Sequence, residues 1–222
     1  MNILNVREEW SSLLLNFLVC NSCKFLYREA DQIKSDECPH CRRVSSTLEL
    51  YFPLNVFALI DLIQESYQSD GNANSEFTKH EYKHHLSISI YFCSLIEVLL
   101  QDFLEQRMAK MELPNQVQGL LLKDYRYVHK RVEKLFPTLI GCKWKETLKT
   151  LTAGGELDFV AAIEFYEEVV DKRNLLVHEG NKWAIPEDMP EKCALQLDPI
   201  IKLFVRLHNE FVAVYLNVAE TT

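Results

Sequence analysis

Two sets of residues in this 222-residue chain have the types and the spacing to do chemistry. The first is four cysteines, Cys20-Asn-Ser-Cys23 and Cys38-Pro-His-Cys41, in a Cx2C–x14–Cx2C pattern. A two-residue gap lets both sulfurs of a pair reach one ion from a tight turn. The 14-residue spacer is long enough for a hairpin that brings the pairs together. Thiolates in this arrangement suit Zn2+, and a closed four-sulfur shell leaves no position for substrate, so the pattern predicts a structural zinc ribbon. Metal-free cysteine pairs and an iron centre are the other readings of the same spacing. His40 lies between ligands and could compete with a cysteine. Arg42 and Arg43 follow the last ligand, either to touch a phosphate or to stand in solvent.

The second set is the stretch "VVDKRNLLVHEG", residues 169 to 180. On a helix, Asp171, Asn174 and His178 fall at i, i+3 and i+7 and share a face, while Arg173 lies among apolar neighbours. An arginine on an apolar stripe is desolvated at a cost unless it is paired or used. Histidine titrates nearest neutrality, and the guanidinium fork suits a phosphate. These groups are the minimum for metal-free cleavage of an RNA phosphodiester. One base takes the 2′-hydroxyl proton, a cation steadies the phosphate and an acid protonates the leaving oxygen. The plainer reading is a polar helix end, with His178 favoured there by the helix dipole.

The elements that must position these groups are nearly all helical. The region to about residue 50 holds the cysteine quartet and short strand-like pieces such as "CKFLYRE". Pro53 opens an apolar periodic run, and "QSDGNANSEFT" reads as a loop. A long helix is expected from about 80 to 111, ended by Pro114, with Ile88, Tyr91, Phe92, Leu95, Val98, Leu99 and Phe103 at helical spacing. Further helices are expected from 115 to before Pro137, over "CKWKETLKTLT", from about 157 to Gly180, and from 192 or 197 to about 219. The division is therefore a zinc-ribbon region over 1–50 and an all-α bundle over 51–222.

Composition narrows the function. Seven cysteines, an odd number with four in metal-ligand spacing, fit a reducing cytoplasm better than a disulfide framework. No run of about 18 uncharged apolar residues appears, so no membrane span is expected. The N-terminus has acids before its apolar stretch and does not read as a secretory leader. A formal charge of −8 argues against a surface that binds nucleic acid all over. The charge is uneven, however. Residues 123 to 149 carry eight Lys or Arg (123, 126, 130, 131, 134, 143, 145, 149) against three acids (124, 133, 146). Tyr125, Tyr127, Phe136 and Trp144 are interleaved. Such a stretch can contact phosphates and stack bases, or it can be a solvated helix face over core aromatics. Cys93, Cys142 and Cys193 read as small buried apolar residues. His80 and His84, at i, i+4, can hold a metal on a helix or simply begin one.

"RNLLVHEG", late in an all-α chain, resembles the R-polar-x3-H signature of the HEPN superfamily. "SISIYFCSLIEVLLQDFLEQ" is similar to that family's first core helix with its internal glutamate, here Glu97. The likeness covers residues from about 53 onward and leaves out the ribbon. It implies a helical bundle that forms a homodimer with the signature helices facing each other. It also implies a metal-independent endoribonuclease of toxin, antiviral or RNA-processing type, with a possible antitoxin or regulatory partner. Carried over, Arg173 and His178 are the catalytic pair, Asn174 supports them and Glu97 pairs with Arg173. Glu97 also lies on a Ser94–Glu97–Gln101 stripe that could be an exposed face. Some members are inactive, so an RNA- or protein-binding module built from the ribbon and the 123–149 stretch is the alternative.

Overall fold

The computed structural model describes residues 17–28, 37–44, 51–71, 81–155, 157–181 and 184–213. Seven helices and one two-stranded sheet make up these residues. The sheet pairs β1 (Phe17–Val19) with β2 (Leu26–Arg28) in antiparallel register, Leu18 opposite Tyr27. Successive side chains alternate faces. Leu18 and Tyr27 turn to the cysteine cluster, while Phe17, Val19 and Leu26 join the main core.

Helix α1 (Leu54–Gly71) begins directly after Pro53 and buries Val56, Ile60 and Ile63. Its partner is α2 (Glu81–Lys110), 30 residues long and the spine of the bundle, which packs on α1, on α6 and on α7. Ile88, Phe92, Leu95, Leu99, Phe103 and Met108 are buried along it. Each large side chain of this kind contributes about 1.5–3 kcal/mol by leaving water. By length and composition alone the segment Leu86–Lys110 could cross a membrane, but it carries charged residues such as Glu97 and Asp102, and half of its most apolar window is buried inside the protein. It ends in a Schellman turn, with Leu113 N–H on the Met108 carbonyl at 3.1 Å and Glu112 at φ 57°. Pro114 then opens α3 (Asn115–Asp124).

The expected single helix from 115 to Pro137 is two. The chain breaks at Tyr125–Tyr127 and resumes as α4: Val128–Lys130, a π-helical stretch Arg131–Leu135, then Phe136–Ile140. Pro137 lies inside α4. A proline cannot donate to the ordinary helical ladder, and the wider π turn just before it relieves the clash. Gly141, at φ 87°, closes α4. Helix α5 (Trp144–Ala153) follows. Helix α6 (Phe159–Glu179) is capped by Asp158, which accepts from Ala161 N–H at 3.0 Å, and is stopped by Gly180 at φ 66°. Helix α7 (Met189–Phe211) starts before the expected 192 and stops short of 219. Residues 214–219 lie outside the described residues, as do His80 and the side chain of His84.

The ribbon docks on the last turns of α7. Asn209 holds the backbone of Leu26 at both ends, accepting from its N–H at 2.7 Å and donating to its carbonyl at 2.8 Å. His208 Nε2 donates to the Lys24 carbonyl at 2.7 Å, and its Nδ1 lies 2.9 Å from the Tyr51 hydroxyl and 2.8 Å from Gln106 Oε1. Burial holds the His208 imidazole down to about 4, with the nearby Lys110 acting in the same direction and the Lys24 carbonyl against it. Because Leu26 is 1% exposed, truncating Asn209 leaves a buried N–H and a buried C=O without partners. Asn209→Ala should therefore cost about 1–3 kcal/mol in denaturant unfolding while metal content stays unchanged. Wild-type stability would mean the ribbon does not rely on this clamp.

Candidate functional site

The first site is a candidate metal centre. Each Cys-x-x-Cys makes the same knuckle. Lys24 N–H bonds the Cys20 carbonyl at 2.7 Å and Arg42 N–H bonds the Cys38 carbonyl at 3.0 Å. The residue after each pair, Lys24 or Arg42, takes a left-handed φ of 60°. The knuckles face each other, and the four sulfurs lie within 4.8 Å of one another, all buried. Cys20 and Cys41 Sγ are 3.7 Å apart and Cys23 and Cys38 Sγ 3.8 Å apart. A tetrahedron of about 2.3 Å metal–sulfur bonds has sulfur edges of about 3.8 Å, so the donors present fit such an ion. Burial, with neighbouring sulfurs adding to it, pushes the Cys23 and Cys38 thiols up. Cys20, although burial also opposes its charge, is held down to about 7 by backbone hydrogen bonds from Cys23 and Ser22. Such a set is poor as free thiolates and apt for a cation. His40 stacks on Phe25 at 4.5 Å and is outside the sulfur cluster. Arg42 and Arg43 are exposed.

The second site is a cleft of about 850 Å³ bounded by α2, α4, α5 and α6. Arg173, Asn174 and Asp171 line one wall, and Glu97 lines another. Arg173 Nη1 is 3.6 Å from Glu97 Oε1, and Arg173 Nη2 donates to Asn174 Oδ1 at 3.3 Å. The Ser94–Glu97–Gln101 stripe is thus no plain solvent face at Glu97, whose side chain is 40% exposed and turned to the arginine. Behind the pair lies Cys93, whose thiol burial pushes up to about 12 although the Arg173 charge pulls it down. Tyr166, also buried beside them, is raised.

His178 is placed differently. It is exposed in the last turn of α6 and does not line the cleft. Five residues of helix put it about 7.5 Å further along the axis than Arg173. Leu175 and Val177, 38% and 58% exposed, flank it.

The basic stretch divides. Phe136 and Trp144 are core, edge to face at 4.8 Å. Arg131 is 8% exposed and donates to the Tyr125 carbonyl at 3.0 Å, its cation disfavoured by burial and favoured by Glu97 and Glu105. Arg126, Tyr127, His129, Lys143 and Lys145 line the same cleft as Arg173. Tyr127 is 47% exposed, stacks with His129 at 5.8 Å and 16°, and lies under the Arg126 guanidinium at 4.7 Å. His129 belongs to no motif in the sequence. Its signal was local: an aromatic and a cation two positions and one position away in a basic run. Of the three scattered cysteines, Cys93 and Cys193 are buried as expected, whereas Cys142 is exposed beside the Gly141 turn.

Comparison with family models, with curated proteins and with solved structures gives no match.

Proposed function

We propose that this protein is a metal-independent endoribonuclease of HEPN type, acting as a homodimer, with a structural zinc ion in its N-terminal ribbon. The observation that carries the reading is the ion pair of Arg173 with Glu97 at 3.6 Å in a cleft that is also lined by Arg126, His129, Lys143 and Lys145. A guanidinium held by one carboxylate, with donors to spare, can also take a phosphate. The exposed His178, between the apolar side chains of Leu175 and Val177, fits a helix end offered to a second copy. The pairing would bring two Arg173 and two His178 into one composite cleft.

In that cleft a histidine takes the proton of an RNA 2′-hydroxyl and the oxygen attacks the adjacent phosphorus. The bond to the 5′-oxygen breaks, and an imidazolium returns a proton to it. Arg173 steadies the charge on the pentavalent phosphate, and Asn174 orients it. The products are a 2′,3′-cyclic phosphate and a 5′-hydroxyl. Zinc takes no part in these steps. Its four thiolate ligands would hold the ribbon folded. A role in stress or phage defence, as a toxin with a partner that restrains it, belongs to the same proposal.

The test is cleavage of a single-stranded RNA and its DNA counterpart in brief EDTA treatment, with the product ends analysed. Cyclic-phosphate ends from RNA and an intact DNA strand are expected, because the nucleophile is the 2′-hydroxyl. Equal cleavage of DNA refutes the mechanism. The position of His178 off the cleft favours a second reading, a binding module that retains RNA without cutting it. Tight RNA retention with no cyclic phosphate would select that reading.

A further inference from the structure

We infer that the junction of the ribbon with the bundle is a second RNA-binding groove, which holds phosphates of the strand whose scissile bond lies at Arg173. The inference rests on the ribonuclease reading for its substrate. The groove is a separate cavity of about 1000 Å³, walled by Phe25 and β2, Pro39 of the second knuckle, the turn after α5 and the last turns of α7. Arg28, Lys202 and Arg206 line it, and no carboxylate does among the described lining residues. Asp198, just outside, holds both Arg28 and Lys202, which fixes two cations side by side on one acid. Arg206 is exposed and has no ion-pair partner among the described residues. Its guanidinium lies against Gly155, where a Cβ would be 3.9 Å from Nη2. A concentration of positive charge on a chain of net charge −8 marks a place for an anion.

The wall also offers a ring. Phe25 lines the groove with its stacked partner His40 at 4.5 Å and 9°. Cations with an aromatic ring among them are how proteins hold single-stranded nucleic acid without reading its sequence. An acidic peptide would use the cations and leave the ring without a role.

The two cavities are joined by α5. Trp144 and Lys145 line the catalytic cleft at one end, and Gly154 and Gly155 line the groove at the other. The ten residues between span about 15 Å at about 1.5 Å each. Lys145 and Lys149 stand one turn apart on the exposed face of that span. A single strand with its bases stacked at the duplex rise of about 3.4 Å covers the distance with four or five nucleotides. A short RNA can occupy one cavity, and a longer one can occupy both.

The experiment uses the full zinc-loaded chain in a His178→Ala background, so that binding is read without cleavage. Fluorescein-labelled single-stranded RNAs of about 4 and about 16 nucleotides serve as probes, a range that matches known site sizes. Arg206→Glu should lower the ratio of long-RNA to short-RNA affinity about tenfold, and make the salt dependence of long-RNA binding shallower by about 0.7 or more in log–log slope. An unchanged ratio overturns the inference, as does equal weakening of both RNAs or an absence of RNA binding by the parent protein. Displacement by an acidic peptide with no effect of RNA overturns it too. If Arg206-dependent binding is seen while the wild-type chain cuts no RNA, the groove stands and the ribonuclease reading fails.

Discussion

Cys38→Ser should release the metal and unfold the ribbon while leaving the helices in place. The four sulfurs enclose one position, with edges of 3.7 and 3.8 Å, and are buried under Leu18 and Tyr27. Among the described residues, these two, with Phe25 at the margin, pack with the cysteines in the ribbon's own cluster. So small a cluster cannot offset the chain entropy of ordering two knuckles. An ion held by the proposed four-thiolate site would supply that free energy, of the order of 10–16 kcal/mol in small four-ligand domains near neutral pH. Serine is a poor ligand for the same ion, so most of this is forfeited. Zinc measured by mass spectrometry should fall from stoichiometric to background, and proteolysis should open the ribbon. Far-UV circular dichroism should stay close to wild type, since α1, α2, α6 and α7 carry a core of their own. Some loss of stability should pass to the bundle, because Asn209 and His208 then lose their partners on the ribbon. Stoichiometric zinc in the variant would refute the four-thiolate site.

The second large effect is the one expected of the proposed ribonuclease activity. His178→Ala should lower RNA cleavage about 10²–10⁴-fold, the usual worth of a positioned proton-transfer group. Arg173→Ala should lower it about 10²–10³-fold through the lost stabilisation of the phosphate charge. The two variants should differ in folding. His178 is exposed, and its truncation should change stability by less than about 0.5 kcal/mol. Arg173 reaches Glu97 at 3.6 Å, with Cys93 and Tyr166 beside it, so its removal leaves a half-buried carboxylate without a partner. Thermal unfolding with cleavage rates measured on the same samples separates the two causes. Wild-type rates from His178→Ala would remove the histidine from the mechanism and leave the cleft as a binding surface.

How far the sequence could be read depended on how local each feature is. The α6 boundaries were legible because a cap and a stop act within one turn: Asp158 on Ala161 N–H, and Gly180 in a left-handed conformation. The quartet was legible for the same reason, since each knuckle is closed by hydrogen bonds between residues at most five apart. The basic run from 123 to 149 was not. Arg126 and Arg131 look alike in sequence, yet one lines the cleft and the other is buried against the Tyr125 carbonyl. Which side of α4 faces inward depends on the π turn before Pro137, and that turn shifts the helical register in a way no periodicity reveals.

The sequence by itself determined the four-cysteine cluster, the helical class and the polar stretch at the end of α6. These depend on spacing, capping and turn chemistry, which act over a few residues. The tertiary structure alone decided that Glu97 meets Arg173, that His178 stands off the cleft, and that the ribbon sits on α7. Asn209 and Leu26 are 183 positions apart, and Arg173 meets Glu97 only because α2 and α6 pack together. Contacts of that kind follow from how buried apolar faces fit one another, and no stretch of chain short enough to be read as a motif contains them.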